Sequence, residues 1–182
     1  MDQMDLKSLL REKKVSIVNK WFEMILESYS AETSKFFRDR SKRFANPVGS
    51  TIYQSIESLF EEILDDKSVP ERLSLFLDNI IRIRAIQDFS ASQAVAFIFS
   101  IKDIIRNEIA IANRSDKALP ESLLAELREM DTKIDALALM SFDIFMQCRE
   151  KLYEIKANEA RNMTYRLLQQ AKIITESPVK ED

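Results

Sequence analysis

The 182-residue sequence contains no histidine, one cysteine (Cys148) and one glycine (Gly49). The lack of histidine excludes Ser-His and Cys-His nucleophilic pairs, histidine-ligated haem, a phosphohistidine relay, and most zinc and di-iron sites. A single cysteine excludes an intrachain disulfide and a Cys-x-x-Cys site, which fits a reducing cytoplasm. We therefore expect a cytoplasmic protein with no metal and no cofactor.

Long apolar runs and an excess of basic charge are also missing. The longest charge-free apolar run, residues 89–101, is too short to cross a bilayer. Residues 1–14 lack the basic head and apolar core of a signal peptide. The net charge of −3 provides no general attraction to nucleic acid or to an anionic membrane. We expect neither as a partner.

The scarcity of glycine and proline favours long helices, and no segment is typical of a strand. Hydrophobic spacing predicts five main helices, at residues 5–29, 46–65, 68–89, 90–111 and 120–175, and a short basic helix at 31–43. The predicted fold is an all-α bundle with a long C-terminal helix. We expect a helical bundle over residues 1–157, a projecting helical arm over 158–175 and a disordered tail over 176–182.

The last helix carries apolar and small residues at alternating intervals of four and three: Leu123, Leu127, Met130, Ile134, Leu137, Ser141, Ile144 and Cys148. Such a heptad seam is typical of helices that pack along their length. A small domain cannot cover so long a helix, so its distal part either projects alone or pairs with a partner. A homodimer through this helix is one prediction, because a self-complementary seam suits twofold symmetry.

The polar residues that could form a site gather around two predicted helix starts. Asn46 precedes Pro47 as a predicted N-cap, and Ser90 with Gln93 fits a capping box. The candidate signal-binding residues are Arg43, Asn46, Gly49, Arg82, Arg84, Gln87, Asp88 and Gln93. They provide no nucleophile with a matched base, so we do not expect an enzyme.

Two of these positions have alternative interpretations. Arg84 and Asp88 are four residues apart, so they form either a structural ion pair or part of an anion site built from arginine side chains and helix N-terminal amides. Gly49 marks either a point where another backbone packs closely or one where a ligand approaches.

The runs RFANPVG (residues 43–49) and IRAIQDFSASQA (residues 83–94), with Trp21, Tyr29 and CREK (residues 148–151), resemble a known family. It is the N-terminal sensor domain of the RsbT co-antagonist proteins (the RsbRD type) of bacterial stressosome regulators. The resemblance implies a cytoplasmic, non-enzymatic sensory module, either globin-like without haem or another helical bundle. In the co-antagonists a STAS domain follows and contacts RsbS-like scaffold and RsbT-like kinase partners. This sequence contains no STAS domain, so we expect a stand-alone paralogue or a fragment.

The leading hypothesis is a sensory or regulatory domain that receives a signal near the polar corner and relays it through the C-terminal helix to a partner protein. The partner would be of the stressosome type if the resemblance extends that far. The alternative is a helical adaptor that docks a partner enzyme and senses no ligand. A catalytic role of Arg84 and Asp88 on an anionic substrate is a third hypothesis.

Overall fold

A computed structural model describes residues 5–39, 46–65, 67, 69–87, 89–113 and 118–171. Within these residues the chain forms seven helices and no strand, which confirms the predicted all-α class. The helices are α1 (Leu6–Glu12), α2 (Lys14–Glu27), α3 (Ala31–Arg38), α4 (Pro47–Leu64), α5 (Pro70–Ala85), α6 (Ala91–Ala112) and α7 (Glu121–Gln170). The predicted tail at residues 176–182 lies outside the described residues.

The helix boundaries follow local chemistry at most ends. The predicted first helix divides at Lys13 into α1 and α2. The Asn46 side chain caps α4 by accepting from the Gly49 N–H at 2.9 Å, as predicted. The N-cap of α5 is Val69, whose side chain has no acceptor. Pro70 at the first helical position starts this helix instead, because its fixed φ suits a helical start and its missing N–H is not needed there.

The core lies where α2, α4, α5, α6 and α7 meet. Its fully buried side chains include Trp21, Ile25, Ile56, Phe60, Ile80, Ile101 and Ile134. In the apolar run 94–99 of α6, Ala94, Val95, Phe97 and Ile98 are buried. Ala96 and Phe99 are exposed, Phe99 by 47%. The Trp21 Nε1–H donates to the carbonyl oxygen of Phe97 at 2.7 Å and joins α2 to α6 inside the core.

Helices α6 and α7 run antiparallel, and two ion pairs fix their register. Lys102 Nζ lies 2.6 Å from Asp135 Oδ1, and Arg106 Nη2 lies 2.5 Å from Asp131 Oδ2. This packing places the predicted heptad seam against the bundle itself. Six of its residues are buried there: Leu123, Met130, Ile134, Leu137, Ser141 and Ile144. The seam therefore forms part of the core of its own chain, and its buried part is not a surface for a second copy.

The second half of α7 leaves the bundle. From Glu150 to Gln170 every side chain is exposed except Leu152, Tyr165 and Leu168, which are half-buried. We call residues 150–170 the distal segment. None of the described helices is long and apolar enough to cross a membrane.

Candidate functional site

The candidate site is the corner between the end of α5 and the start of α6. Ser90 Oγ accepts from the Gln93 N–H at 3.3 Å, and Gln93 Oε1 accepts from the Ser90 N–H at 3.0 Å. This reciprocal pair is the predicted capping box, which the structure confirms. It fixes the first turn of α6, where the Gln93 carbonyl oxygen accepts from Arg84 in α5.

Arg84 lies at the centre of this corner and is only 1% exposed. Its Nη2 donates to Ser28 Oγ at 3.0 Å and to the Gln93 carbonyl oxygen at 3.1 Å. The guanidinium carbon faces three aromatic rings, with centroids at 5.3 Å for Tyr29, 4.2 Å for Phe89 and 5.5 Å for Phe97. Ring faces carry partial negative charge, so they stabilise the cation, although far less than a carboxylate would.

Several polar atoms of the corner are buried without a hydrogen-bond partner. They are Nε and Nη1 of Arg84, the hydroxyl of Tyr29 and Oε1 of Gln87. Burial lowers the pKa of Arg84 and raises the pKa of Tyr29, because each loses the water that would stabilise its charged form, and the interaction between the guanidinium and the Tyr29 hydroxyl offsets part of both shifts. Folded proteins leave few such groups unsatisfied, so this concentration marks the corner as a functional candidate.

The structure separates the other candidates into different environments. Arg82 is two residues from Arg84, but its side chain is 67% exposed and Nε lies 2.5 Å from Asp78 Oδ2. Gln93 joins the corner through its carbonyl oxygen, and Gln87 contributes an unpaired amide oxygen. Arg43 and Asp88 lie outside the described residues, so the predicted Arg84–Asp88 pair stays a prediction.

Asn46 and Gly49 have structural roles at the start of α4. The Asn46 Nδ2 group donates to the carbonyl oxygens of Phe36, Phe37 and Asp39 at 3.1, 2.9 and 3.0 Å. A Cβ atom on Gly49 would lie 2.5 Å from the Phe37 carbonyl oxygen, so only glycine fits here. Of the two interpretations of Gly49, the structure therefore supports close packing of another backbone.

Aromatic rings connect this cap to Arg84. The Tyr29 ring packs edge to face on Phe37 at 5.2 Å and on Phe89 at 5.3 Å. No hydrogen bond within the described residues links Asn46 or Gly49 directly to Arg84. The start of α4 is therefore linked to Arg84 through the rings of Phe37 and Tyr29. The two parts of the predicted corner do not form one polar site.

Arg149 is a residue that the sequence pattern did not reveal as part of the corner. Its Nη1 donates to the carbonyl oxygen of Ala85 at 3.2 Å, in the last residue of α5 and directly after Arg84. Its Nη2 donates to the Tyr153 hydroxyl at 3.0 Å. Arg149 therefore ties the candidate site to the point where α7 leaves the bundle.

A second heptad register also runs along α7. It is hard to recognise in the sequence because the first seam is more regularly apolar. Positions alternating three and four apart form a stripe, which consists of Leu139, Phe142, Met146, Arg149, Tyr153, Lys156, Ala160, Met163 and Leu167. Its large apolar members are exposed, from 44% for Phe142 to 70% for Leu139. We call these residues the outer stripe. An open concave surface of about 590 Å³ follows its middle, lined by Met146, Arg149, Glu150, Tyr153, Glu154 and Ala157.

Comparison with known proteins agrees with the predicted resemblance. A family model described as the RsbT co-antagonist protein rsbRD N-terminal domain matches residues 16–160. This match includes α2 to α6, the whole corner and α7 beyond Arg149. Neither the curated proteins nor the solved structures contain a significant match.

Proposed function

The chain belongs to the RsbT co-antagonist protein rsbRD N-terminal domain family, and from this premise we propose that it is a non-enzymatic sensory domain of bacterial signalling. In this proposal the bundle receives a signal at the Arg84 corner, and α7 relays it to a partner protein. The family is stressosome-related, so the proposed partner is a cytoplasmic regulatory protein of that type.

The observation that carries the proposal is the short physical connection between Arg84 and the distal segment. The buried, partly unsatisfied guanidinium of Arg84 is adjacent to Ala85, whose carbonyl oxygen accepts from Arg149. Beyond Arg149 the helix has few contacts with the bundle. A change in the position of the α5 terminus therefore acts on α7 at its last anchoring point. Coupling of this kind requires an element that both sites influence, and α7 is that element.

A double-mutant cycle tests this relay. We expect Arg84→Met and Arg149→Gln each to change hydrogen exchange in the distal segment, with a coupling energy of about 0.5–2 kcal/mol between them. The reason is that both substitutions act through the Ala85 carbonyl. Hydrogen exchange of the four proteins, read by mass spectrometry over residues 150–170, measures the coupling.

Arg82→Gln is the matched control for this cycle, because Arg82 lies on the same helix but points outward to Asp78. Its combination with Arg149→Gln should be additive. If the Arg84 cycle were additive as well, the relay would be wrong, and the helical adaptor that senses nothing would be the better hypothesis.

We also propose that the chain forms a homodimer through α7, with the outer stripe as the contact. The first seam is buried within the bundle, so an interface needs another face. The outer stripe keeps the three-four alternation that coiled coils use, and it is apolar at Leu139, Phe142, Met146, Met163 and Leu167. An exposed apolar stripe of this kind is typical of a contact surface.

Met146→Glu tests the dimer, since it places a charge in the middle of the stripe. We expect sedimentation velocity at tens of micromolar to show a dimer for the wild type and a monomer for Met146→Glu. Gln147→Glu adds the same charge one position away, off the stripe, and should leave the dimer intact. A wild-type monomer, or equal dissociation by both variants, would contradict this interface.

A further inference from the structure

We propose that Arg84 is a concealed binding site for a small monoanionic carboxylate, which neutralises the guanidinium when the Phe89 ring turns away. The inference rests on the proposed function, because it names the chemical class of the signal received at that corner. It starts from a mismatch inside the core, where a full positive charge is buried without a hydrogen-bonded carboxylate among the described residues.

The donors of Arg84 are only partly used. A guanidinium has five N–H groups. Here Nη2 is engaged with Ser28 and Gln93, whereas Nε and Nη1 are buried without partners. A buried charge is costly unless it is both paired and hydrogen-bonded. A carboxylate oxygen that reached Nη1 would provide the missing charge and the missing acceptor at once.

A neighbouring hydroxyl complements such a ligand. The Tyr29 hydroxyl, whose ring centroid is 5.3 Å from the guanidinium carbon, is a second donor for the anion. A structural cation–aromatic cluster explains the rings around Arg84, but it provides no hydrogen-bonded carboxylate for Nε and Nη1 among the described residues.

The charge and the walls of the corner select the class of anion. One guanidinium neutralises one negative charge, so a carboxylate leaves the corner neutral. A sulfate or phosphate dianion would leave an uncompensated negative charge among aromatic rings, which is costly at low dielectric. The rings of Phe89 and Phe97 favour a flat carboxylate with a short apolar tail.

Phe89 is the side chain that controls access. Its ring has the shortest ring distance to the guanidinium, 4.2 Å, and it is half-buried, whereas Arg84 is fully buried. Rotation of this one ring exposes the cation from the solvent side. The site therefore exists in a closed form, and a ligand stabilises the open form by population shift.

The test is thermal unfolding of the full chain with sodium acetate, propionate, chloride and sulfate at matched ionic strength. We expect acetate and propionate to raise the midpoint of the wild type and of Arg82→Gln above the value in chloride, in proportion to the logarithm of concentration. Sulfate stabilises folded proteins generally because it is excluded from their surface, so it should raise the midpoints of the wild type and Arg84→Met equally. Acetate and propionate should raise the midpoint of the wild type more than that of Arg84→Met. Equal responses of the wild type and Arg84→Met to the carboxylates would indicate an adventitious ion only and would overturn the site.

A second measurement uses only the wild-type protein, so it is valid even if Arg84→Met does not fold. Propionate methyl protons should show nuclear Overhauser contacts to the ring protons of Phe89 or Phe97 in the wild-type protein, and their absence at saturating propionate would overturn the site. The outcome also separates this inference from the proposed function. If propionate binds but exchange in the distal segment stays unchanged, the site stands and the relay fails. If the Arg84–Arg149 coupling exists but no carboxylate binds, the relay stands and this ligand class fails.

Discussion

Arg84→Met is expected to raise the free energy of unfolding, by an amount on the order of the 1–4 kcal/mol found when buried ion pairs are replaced by apolar side chains, because it removes a buried cation that has no hydrogen-bonded carboxylate among the described residues. The substitution removes a cation that is 1% exposed and has two unpaired nitrogens. The acceptors it abandons keep other bonds, since the Ser28 hydroxyl still donates to the Ile25 carbonyl at 2.6 Å. Methionine fills the space between the rings with favourable sulfur–aromatic contacts.

Urea unfolding followed by circular dichroism measures this change, with Arg82→Gln as the matched surface control. Arg82 is exposed and paired with Asp78, so its replacement should change stability by less than about 1 kcal/mol. A clear loss of stability in Arg84→Met would show that the guanidinium is compensated in the folded state, for example by Asp88. A gain would mean that the chain retains a destabilising residue for a function, as proteins do at binding sites.

Phe97→Ala is expected to lower the free energy of unfolding by about 3–5 kcal/mol, the usual cost of truncating a buried phenylalanine. The Phe97 ring is 5% exposed and packs on the Trp21 ring with a centroid distance of 6.2 Å. Its removal leaves a cavity between α2 and α6. The cavity lies beside the hydrogen bond from Trp21 Nε1 to the Phe97 carbonyl, so the surroundings cannot collapse freely.

Phe99→Ala is the matched control, because it makes the same chemical change two residues along the same helix. Phe99 is 47% exposed, so its loss should cost less than about 1 kcal/mol. Urea unfolding of both variants provides the comparison. Similar losses in the two variants would show that the face of α6 assigned to the core is wrong.

The helices and caps could be predicted because local chemistry determines them. Ser90 and Gln93 form a capping box whichever way the helix packs, and Asn46 before Pro47 starts a helix for the same reason. At the start of α5, Val69 has no capping side chain, so Pro70 at the first helical position is the local signal for this helix.

The site could be predicted only in part, since tertiary packing decides which arginine is buried. Arg82 and Arg84 are equally polar in sequence, and arginine is rarely buried without a partner. Only the three-dimensional structure shows that the ring cluster covers Arg84 and that Arg82 points to Asp78. The bond from Arg149 to Ala85 joins residues 64 positions apart, so no local pattern indicates it.

The sequence predicts the heptad seam of α7, but it does not show that the seam packs against the bundle of its own chain. Hydrophobic spacing shows that a face is covered and does not show whether the cover comes from the same chain or from another. Here α5 and α6 cover the seam through Ile144, and the less hydrophobic outer stripe remains exposed. One register of α7 therefore holds the helix in the bundle, and the other is exposed.

The continuity of α7 has a mechanical consequence. Its 50 residues contain neither glycine nor proline, so no built-in hinge separates the part held by the bundle from the distal segment. The distal segment is about 30 Å long at 1.5 Å per residue. Such a rod acts as a lever with its fulcrum at Arg149, where a tilt of only about 5° moves the tip by about 3 Å, by the same geometry. A small rotation of α7 near Arg149 therefore becomes, at the end of the distal segment, a displacement comparable to the width of a side chain.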